Sequence, residues 1–228
     1  MPFRRLGDPL FSMGLGERLG LGNRVTAGGV PWYLAVGVTP LAVWVAKGAA
    51  SLAASKVNLV TPGIHDLTDG VAPTLQADGW LGNSSAYLFT DIVPTLTYTL
   101  AIRVSGQNDA IRAHGGVSSS ATQNFLIRNS GAGNVNFQNG NQQVYAAAFA
   151  TNEVVVIAGK TVFVNGVQQT SVPAGGSNPT HVITLIGYNT AGVITARLSQ
   201  GNMQAAAIWN TTLTPAQALV VSASMALL

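Results

Sequence analysis

The sequence predicts an all-β protein, an antiparallel β-sandwich with one short helix near its C-terminus. In the second half of the chain, short alternating apolar and polar stretches are separated by turn signals about every 8 to 12 residues. An Asn-Gly pair at positions 165 and 166 separates two of these stretches, and a helix-start pattern follows the last one. A chain of 228 residues is long enough for one sandwich with a sizeable core.

The most local of these signals is a hairpin over residues 161–170. Val162 and Val164 alternate with Phe163 before the Asn165-Gly166 pair. Both turn residues tolerate the positive φ angles of a type I′ turn, which makes Asn-Gly between β-branched runs a strong hairpin signal.

Two strands and a helix are predicted after the hairpin. The strands cover residues 181–186 and 203–209. Thr214 is suited to cap a helix, with Pro215 at its first position and Gln217 three residues after the cap. Leu213 and Ala218 occupy the two positions of a hydrophobic staple.

The order of these closing elements resembles that of the laminin-G-like or concanavalin-A-like jelly roll. In that family a V-x-V-N-G hairpin precedes a strand ending in I-G, and an A-x-I-W-N strand leads into a short L-T-x-A-Q helix. The resemblance covers residues 160–223. It implies an antiparallel jelly-roll β-sandwich but no particular activity, because one fold hosts many functions.

Two upstream stretches resemble bacteriophage members of this family. Residues 78–88 look like the G-W-x-x-N-G-S-x-Y-L strand pair of phage-borne copies, although the Asn-Gly is reordered here as Gly82-Asn83. The run KGAASLAASKVNL before them is similar to phage tail and virion proteins. The resemblance implies a virion location, in a tail or as capsid decoration.

The composition favours a protein covered by neighbours. Only 8% of the residues are charged, against about 25% in a typical soluble domain. A surface so poor in charge is expected where copies of the chain, or other proteins, pack against it. The net charge of +3 is not clustered in a basic stripe, so no nucleic-acid partner is predicted. There are no cysteines, which excludes disulfides and thiol chemistry.

Residues 1–46 are predicted to form an extended N-terminal arm before a jelly-roll domain at 47–228. Residues 1–29 mix apolar side chains with glycine and arginine, and are either a floppy leader or an arm that becomes ordered on a partner. Residues 30–46 carry no charge but are too short, and too rich in proline and glycine, for a membrane span. They suit a strand buried on both faces or a subunit contact. The predicted partner contacts are Arg4, Arg5, Phe11, Trp32, Tyr33 and Trp44.

The sequence offers little for catalysis, and no enzyme activity or cofactor is predicted. Glucanases of the resembled fold use closely spaced Glu and Asp residues on one strand as acid and nucleophile. The only glutamates are Glu17 and Glu153, far apart and without acidic neighbours at strand spacing. The three histidines, at 65, 114 and 181, are isolated in the sequence.

The sequence offers candidates for two kinds of binding site, one for calcium and one for a glycan. His65-Asp66, Asp69 and Asp78 form an acidic cluster that is read either as turn residues or as calcium ligands, and no metal site is assigned. For a glycan ligand, the candidate stacking side chains are Tyr145, Tyr188 and Trp80, although Trp80 also fits a core position.

The main functional prediction is therefore a non-enzymatic structural protein of a bacteriophage virion. It would pack against other virion proteins and copies of itself through the arm, and phage fibres and decoration proteins imply a trimer. The alternative is a carbohydrate-binding, lectin-like adhesin for host-surface glycans. An open aromatic surface would favour the adhesin, whereas uncharged faces buried against other chains would favour the structural part.

Overall fold

Two antiparallel β-sheets packed face to face make up most of the protein, as predicted. A computed structural model describes residues 30–106, 112–129, 135–145, 153–169, 171–195 and 201–228. The strands, in chain order, are β1 (Ala42–Val45), β2 (Thr68–Val71), β3 (Thr74–Gln76), β4 (Gly79–Leu81), β5 (Tyr87–Phe89), β6 (Thr99–Ser105), β7 (Arg112–Ser120), β8 (Gln123–Asn129), β9 (Val135–Asn139), β10 (Asn141–Tyr145), β11 (Glu153–Ala158), β12 (Thr161–Val164), β13 (Val167–Gln168), β14 (Thr184–Leu185), β15 (Tyr188–Thr190), β16 (Val193–Thr195) and β17 (Asn202–Trp209). The helices are a 3-10 turn (Trp32–Leu34), α1 (Leu52–Ser55) and α2 (Pro215–Met225).

The strands form a back sheet and a front sheet. The back sheet has the order β13-β12-β11-β6-β17-β4-β3, and β1 also pairs with β17. The front sheet has the order β10-β9-β8-β7-β14-β5-β2, and β15 adds to β7 and β16. The strand pairs are antiparallel except for β15 and β7, which run parallel.

The back sheet is buried on both of its faces. Side chains from the two sheets meet in a first core, which contains Trp44, Trp80 and Ile102. The opposite face of the back sheet packs against α2 and the 3-10 turn in a second core, which contains Trp32 and Trp209. This third layer explains why β1, β6, β11 and β17 are nearly continuous apolar runs.

The predicted boundary between an arm and a domain at residue 46 is wrong. β1 pairs with β17 in the register Ala42 to Ile208 through Val45 to Ala205, so it is an integral strand of the back sheet. The prediction of a strand buried on both faces is confirmed for these four residues. Trp32–Leu34, in contrast, form a helical turn rather than a strand. Residues 1–29 lie outside the described part of the chain.

The hairpin and the helix cap agree with the sequence prediction. β12 and β13 are joined by Asn165 and Gly166, whose φ angles are +50° and +79°, as a type I′ turn requires. At the start of α2 the Thr214 hydroxyl accepts from the Gln217 amide, and the Gln217 side chain accepts from the Thr214 amide. The staple residues Leu213 and Ala218 are both buried in the second core.

Several strands lie where the sequence is rich in turn residues. Residues 118–120 are three serines, which favour turns, yet they complete β7. β9 and β2 likewise lie in stretches with many turn residues, at 129–141 and 57–73. All seven residues of β6 are buried, because one face of the strand packs between the sheets and the other packs under α2. No described helix is long and apolar enough to cross a membrane.

Candidate functional site

Trp80, a predicted sugar-stacking residue, is a core residue instead. Its side chain is fully buried between the sheets. The indole Nε1 donates a hydrogen bond to the Ser55 hydroxyl across 2.8 Å, which fixes α1 against β4. Because both ring faces are covered by protein, Trp80 has no face available for a sugar.

The other two predicted stacking residues are placed by their backbones only. Tyr145 is the last residue of β10, opposite Val135 of β9. Tyr188 opens β15, opposite Thr195 of β16. Both belong to the front sheet, and their side chains lie outside the described part of the structure.

The aromatic residues that were predicted to contact a partner are buried within their own chain. Trp32 and Tyr33 stack edge to face, with ring centroids 5.6 Å apart, beneath the back sheet. Trp44 lies in the first core and donates through Nε1 to the His65 carbonyl oxygen at 3.0 Å. The prediction is wrong for these three, because Trp32 and Tyr33 are buried in the second core and Trp44 is buried between the two sheets. Arg4, Arg5 and Phe11 lie outside the described residues.

The acidic cluster at residues 65–78 does not assemble into a cation site. Asp66 accepts from the Asn58 amide at 2.7 Å, and Asp69 pairs with the Lys56 ammonium at 2.6 Å. Asp78, in the β3–β4 turn, accepts from the Gln204 side chain at 2.5 Å. Within the described ranges, no group of three or more histidine or acidic side chains is placed to share a metal ion. The geometry therefore favours a structural role for these residues, in turns and edge strands, over calcium binding.

A different aromatic pair lies on the outer face of the front sheet. Leu88, the middle residue of β5, points into the first core, so its neighbours Tyr87 and Phe89 point the other way. Their rings meet edge to face, with centroids 5.3 Å apart and planes at 87°. Both side chains are partly exposed. We call Tyr87 and Phe89 the aromatic platform.

A glycine on the neighbouring edge strand makes room for the platform. A Cβ atom on Gly70 of β2 would lie only 1.7 Å from Cε2 of the Tyr87 ring. The pairing of β2 with β5 shifts register between Asp69 and Val71, which leaves Gly70 beneath the ring. Val71, opposite Tyr87, is 41% exposed and extends the apolar surface to the sheet edge.

Uncharged polar groups flank the platform. Phe89 lies opposite the exposed Thr68 of β2 on one side and opposite Thr184 of β14 on the other. Thr184 is fully buried and its hydroxyl donates to the Gly116 carbonyl oxygen at 3.3 Å, so of these two threonines Thr68 is the exposed one. A partly exposed aromatic surface next to an exposed hydroxyl group can bind a ligand that has both an apolar face and hydroxyl groups.

The sequence itself contains a signal for this platform. The tripeptide Tyr87-Leu88-Phe89 follows a turn and alternates aromatic, aliphatic and aromatic side chains. In a strand of a sandwich, that pattern places both rings on the face opposite the aliphatic residue. The pattern does not tell which face is the core, so only the fold could identify the rings as the partly exposed ones.

No protein-family model matches the chain, and no curated protein matches it either. Solved structures do match its fold. A mutant of Trypanosoma rangeli sialidase displaying trans-sialidase activity aligns with a TM-score of 0.58 at 12% identity, over 87% of this chain and 35% of that one. Trypanosoma rangeli sialidase in complex with sialic acid aligns with a TM-score of 0.58 at 11% identity, over 89% and 36%. An HCR/D mutant aligns with a TM-score of 0.53 at 11% identity, over 81% and 50%.

These similarities confirm the β-sandwich fold and nothing finer, because the identities are low. The chain corresponds to about a third of each sialidase chain, by the 35% and 36% coverage. The activity of the whole sialidases is therefore not assigned to this chain.

Proposed function

We propose that this protein is a non-catalytic, lectin-like module that binds carbohydrate on the outer face of its front sheet. The observation that carries the proposal is the partly exposed aromatic platform of Tyr87 and Phe89. The Tyr87 ring can occupy its position because Gly70 has no side chain there. Most other described aromatic side chains are buried, including all four tryptophans. A partly exposed aromatic pair in such a chain is better explained by a ligand than by packing.

The chemistry of the platform suits a sugar ring. One face of a pyranose is lined with C–H groups and can stack on an aromatic ring, while its hydroxyl groups need hydrogen-bonding partners at the rim. Thr68 supplies an exposed hydroxyl next to Phe89. The nearest charged pair, Lys56 and Asp69, is self-neutralised. The surroundings therefore favour a neutral glycan surface, such as that of a host cell.

The fold comparisons support the proposal by analogy only. One matching structure is a sialidase in complex with sialic acid, so a sandwich of this shape occurs in proteins that handle glycans. We propose no catalytic activity for this module. Glu153, the one described glutamate, is buried at the start of β11 opposite Val104, and the described aspartates near the platform are bonded to their own partners.

A glycan-array screen followed by calorimetry tests this proposal. Tyr87→Leu and Phe89→Leu keep apolar volume but remove the ring, so each should weaken binding of any array hit by up to about tenfold, as expected for about 0.5–1.5 kcal/mol of ring interaction. Val193→Leu, at a 69% exposed position on β16, is the matched control and should bind as the wild type. Unchanged affinity in both platform variants, or no hit on the array, would contradict the proposal.

A second candidate function is a structural role in a bacteriophage virion, as tail or capsid decoration. It is supported by the sequence resemblance to phage-borne jelly rolls and by the 8% charged composition. In this role the chain would pack against other virion proteins and copies of itself, and it would be located in the particle.

The virion role can be tested with a truncation that leaves the sandwich whole. Deleting residues 2–29 removes no described element, whereas deleting residues 1–46 would remove β1. If the N-terminal segment anchors the chain, the truncated protein should be missing from purified particles in mass spectrometry while its circular dichroism stays that of a β-protein. Absence of the full-length chain from the particles would refute the role outright.

A further inference from the structure

The outer face of α2 is apolar and largely exposed. The helix carries no charged residue along Pro215–Met225. Its inner face, with Ala218, Val221 and Met225, is buried in the second core. Its outer face leaves Leu219 53% exposed and Val220 38% exposed. A helix that is apolar all round is normally covered on all sides.

The apolar surface continues beyond the helix. Gly166 of the β12–β13 turn lies against Leu219, since a Cβ there would be 2.7 Å from its Cδ1 atom. On the other flank the 3-10 turn packs beside α2, and the Gln217 side chain donates to the Val36 carbonyl oxygen at 3.3 Å. We call the exposed apolar side chains of this region the helix patch: Val30, Leu34, Val167, Leu219, Val220 and Leu227.

The length of chain that precedes the described residues, and the place where it joins them, point to the occupant. Residues 1–29 connect at Val30, which is itself 43% exposed and part of the helix patch. Fully extended, these residues would span about 95 Å, whereas α2 is only about 16 Å long. A segment tethered at the edge of a surface also has a high effective concentration there.

The composition of this segment is complementary to the helix patch. Its large apolar side chains are interspersed with glycines and polar residues, and they include Leu6, Leu10, Phe11, Met13, Leu15, Leu19 and Leu21. It also holds four of the eleven basic residues of the chain, at positions 4, 5, 18 and 24. Positive charge at the C-terminal end of α2 is already supplied by Arg103, whose Nη1 donates to the Met225 carbonyl oxygen, so the complementarity lies in the apolar side chains.

We propose that residues 1–29 bind the helix patch of their own chain, with their apolar side chains covering Leu219 and Val220. The segment then completes the outer side of the second core and is not a free leader. The inference is independent of the glycan proposal, because it concerns the opposite sheet. It competes with the arm-to-neighbour contact of the virion role, because one segment cannot make both contacts with the same side chains.

The absence of cysteine allows a direct test in the full-length protein. A nitroxide attached to Ala223→Cys, an exposed position on the outer face of α2, should broaden the amide signals of residues 6–21 in nuclear magnetic resonance spectra. The same label on Val193→Cys, on the front sheet, is the control and should leave those signals sharp. Adding Leu219→Asp and Val220→Asp to the Ala223→Cys protein should abolish the broadening.

Two outcomes would overturn the proposal. If the label at position 223 leaves residues 6–21 sharp, the segment does not bind the patch. If broadening occurs only between a labelled, isotope-free chain and an unlabelled, isotope-enriched chain, the occupant is a second copy. Both of these differ from a failure of glycan binding, which would leave the broadening unchanged.

Discussion

The guanidinium group of Arg103, in the middle of β6, donates through Nη1 to the main-chain oxygen of Met225 at the end of α2, across 2.8 Å. Arg103 is only 5% exposed, so its charged group lies in the interior, on the side of the second core. The bond joins a central strand of the back sheet to the last turn of the helix, where carbonyl groups lack helical partners. It therefore fixes the helical layer that buries the outer face of that sheet.

Replacing Arg103 by Met should destabilise the protein by about 1–3 kcal/mol, because the buried Met225 carbonyl loses its charged donor while the aliphatic packing is kept. The midpoint of urea unfolding measures this loss. Lys56→Met is a suitable control, since it breaks a partly exposed ion pair worth about 0–1 kcal/mol. Equal effects of the two variants would show that the Arg103 bond is not a structural link.

Asn58→Ala should lower the free energy of unfolding by about 3 kcal/mol or more, because several buried groups lose partners worth about 1–3 kcal/mol each. The Asn58 side chain accepts from the Val43 and Val60 amides at 3.0 Å and donates to the Ile64 carbonyl at 2.8 Å. It thus connects β1 to the 58–66 loop. Thermal unfolding should show the loss, and Asn210→Ala, at an exposed position, should change little.

Gly116→Ala should destabilise the front sheet by about 2–6 kcal/mol, combining overpacking with backbone strain. Gly116 has a φ angle of +134°, and a Cβ there would lie 2.3 Å from the Phe125 oxygen of the paired strand β8. Gly63→Ala separates the two causes. Its φ angle is +88° but nothing lies within 4 Å, so only about 1–2 kcal/mol of strain is expected. Chemical denaturation of both variants should rank them in that order.

The purified protein should hydrolyse no glycoside, because most glycoside hydrolases need two carboxyl groups facing one bond and the described residues place no such pair at the platform. Fluorogenic glycosides, including a sialoside, provide the assay. Turnover that exceeds a buffer blank and disappears in the Glu153→Gln variant would show that this reading is wrong. Glu153 is 7% exposed, so a substrate could reach it only after a rearrangement of the sheet.

Local patterns predicted the local structure well. Asn165-Gly166 requires only that two residues adopt positive φ, and Thr214 with Gln217 requires only one helical turn. Neither depends on distant residues, so a single sequence is sufficient. β9 was not predicted because only two apolar residues, Val135 and Phe137, alternate with its polar ones, which is too short a pattern to indicate a strand. Its polar residues Asn136 and Gln138 are nevertheless buried in the fold.

The candidate site could not be predicted in the same way. Trp80 and Tyr87 are both aromatic residues in short strands, and nothing in the local sequence tells which of the two is buried. The fold buries Trp80 between the sheets and places Tyr87 on an edge-proximal strand above Gly70. Which face of a strand is covered depends on the layers stacked on it, and those layers come from residues far away in the chain.

By itself, then, the sequence determined the all-β class, the hairpin at 161–168 and the capped C-terminal helix, because these follow from backbone preferences of neighbouring residues. The tertiary structure alone decided that β1 is buried within its own chain instead of against a partner, with Ala42 and Trp44 in the first core and Val43 and Val45 in the second. It also decided that the rings of Tyr87 and Phe89 are partly exposed while Leu88 between them is buried. Burial is a property of the packed layers, and an apolar strand looks the same in sequence whichever molecule covers it.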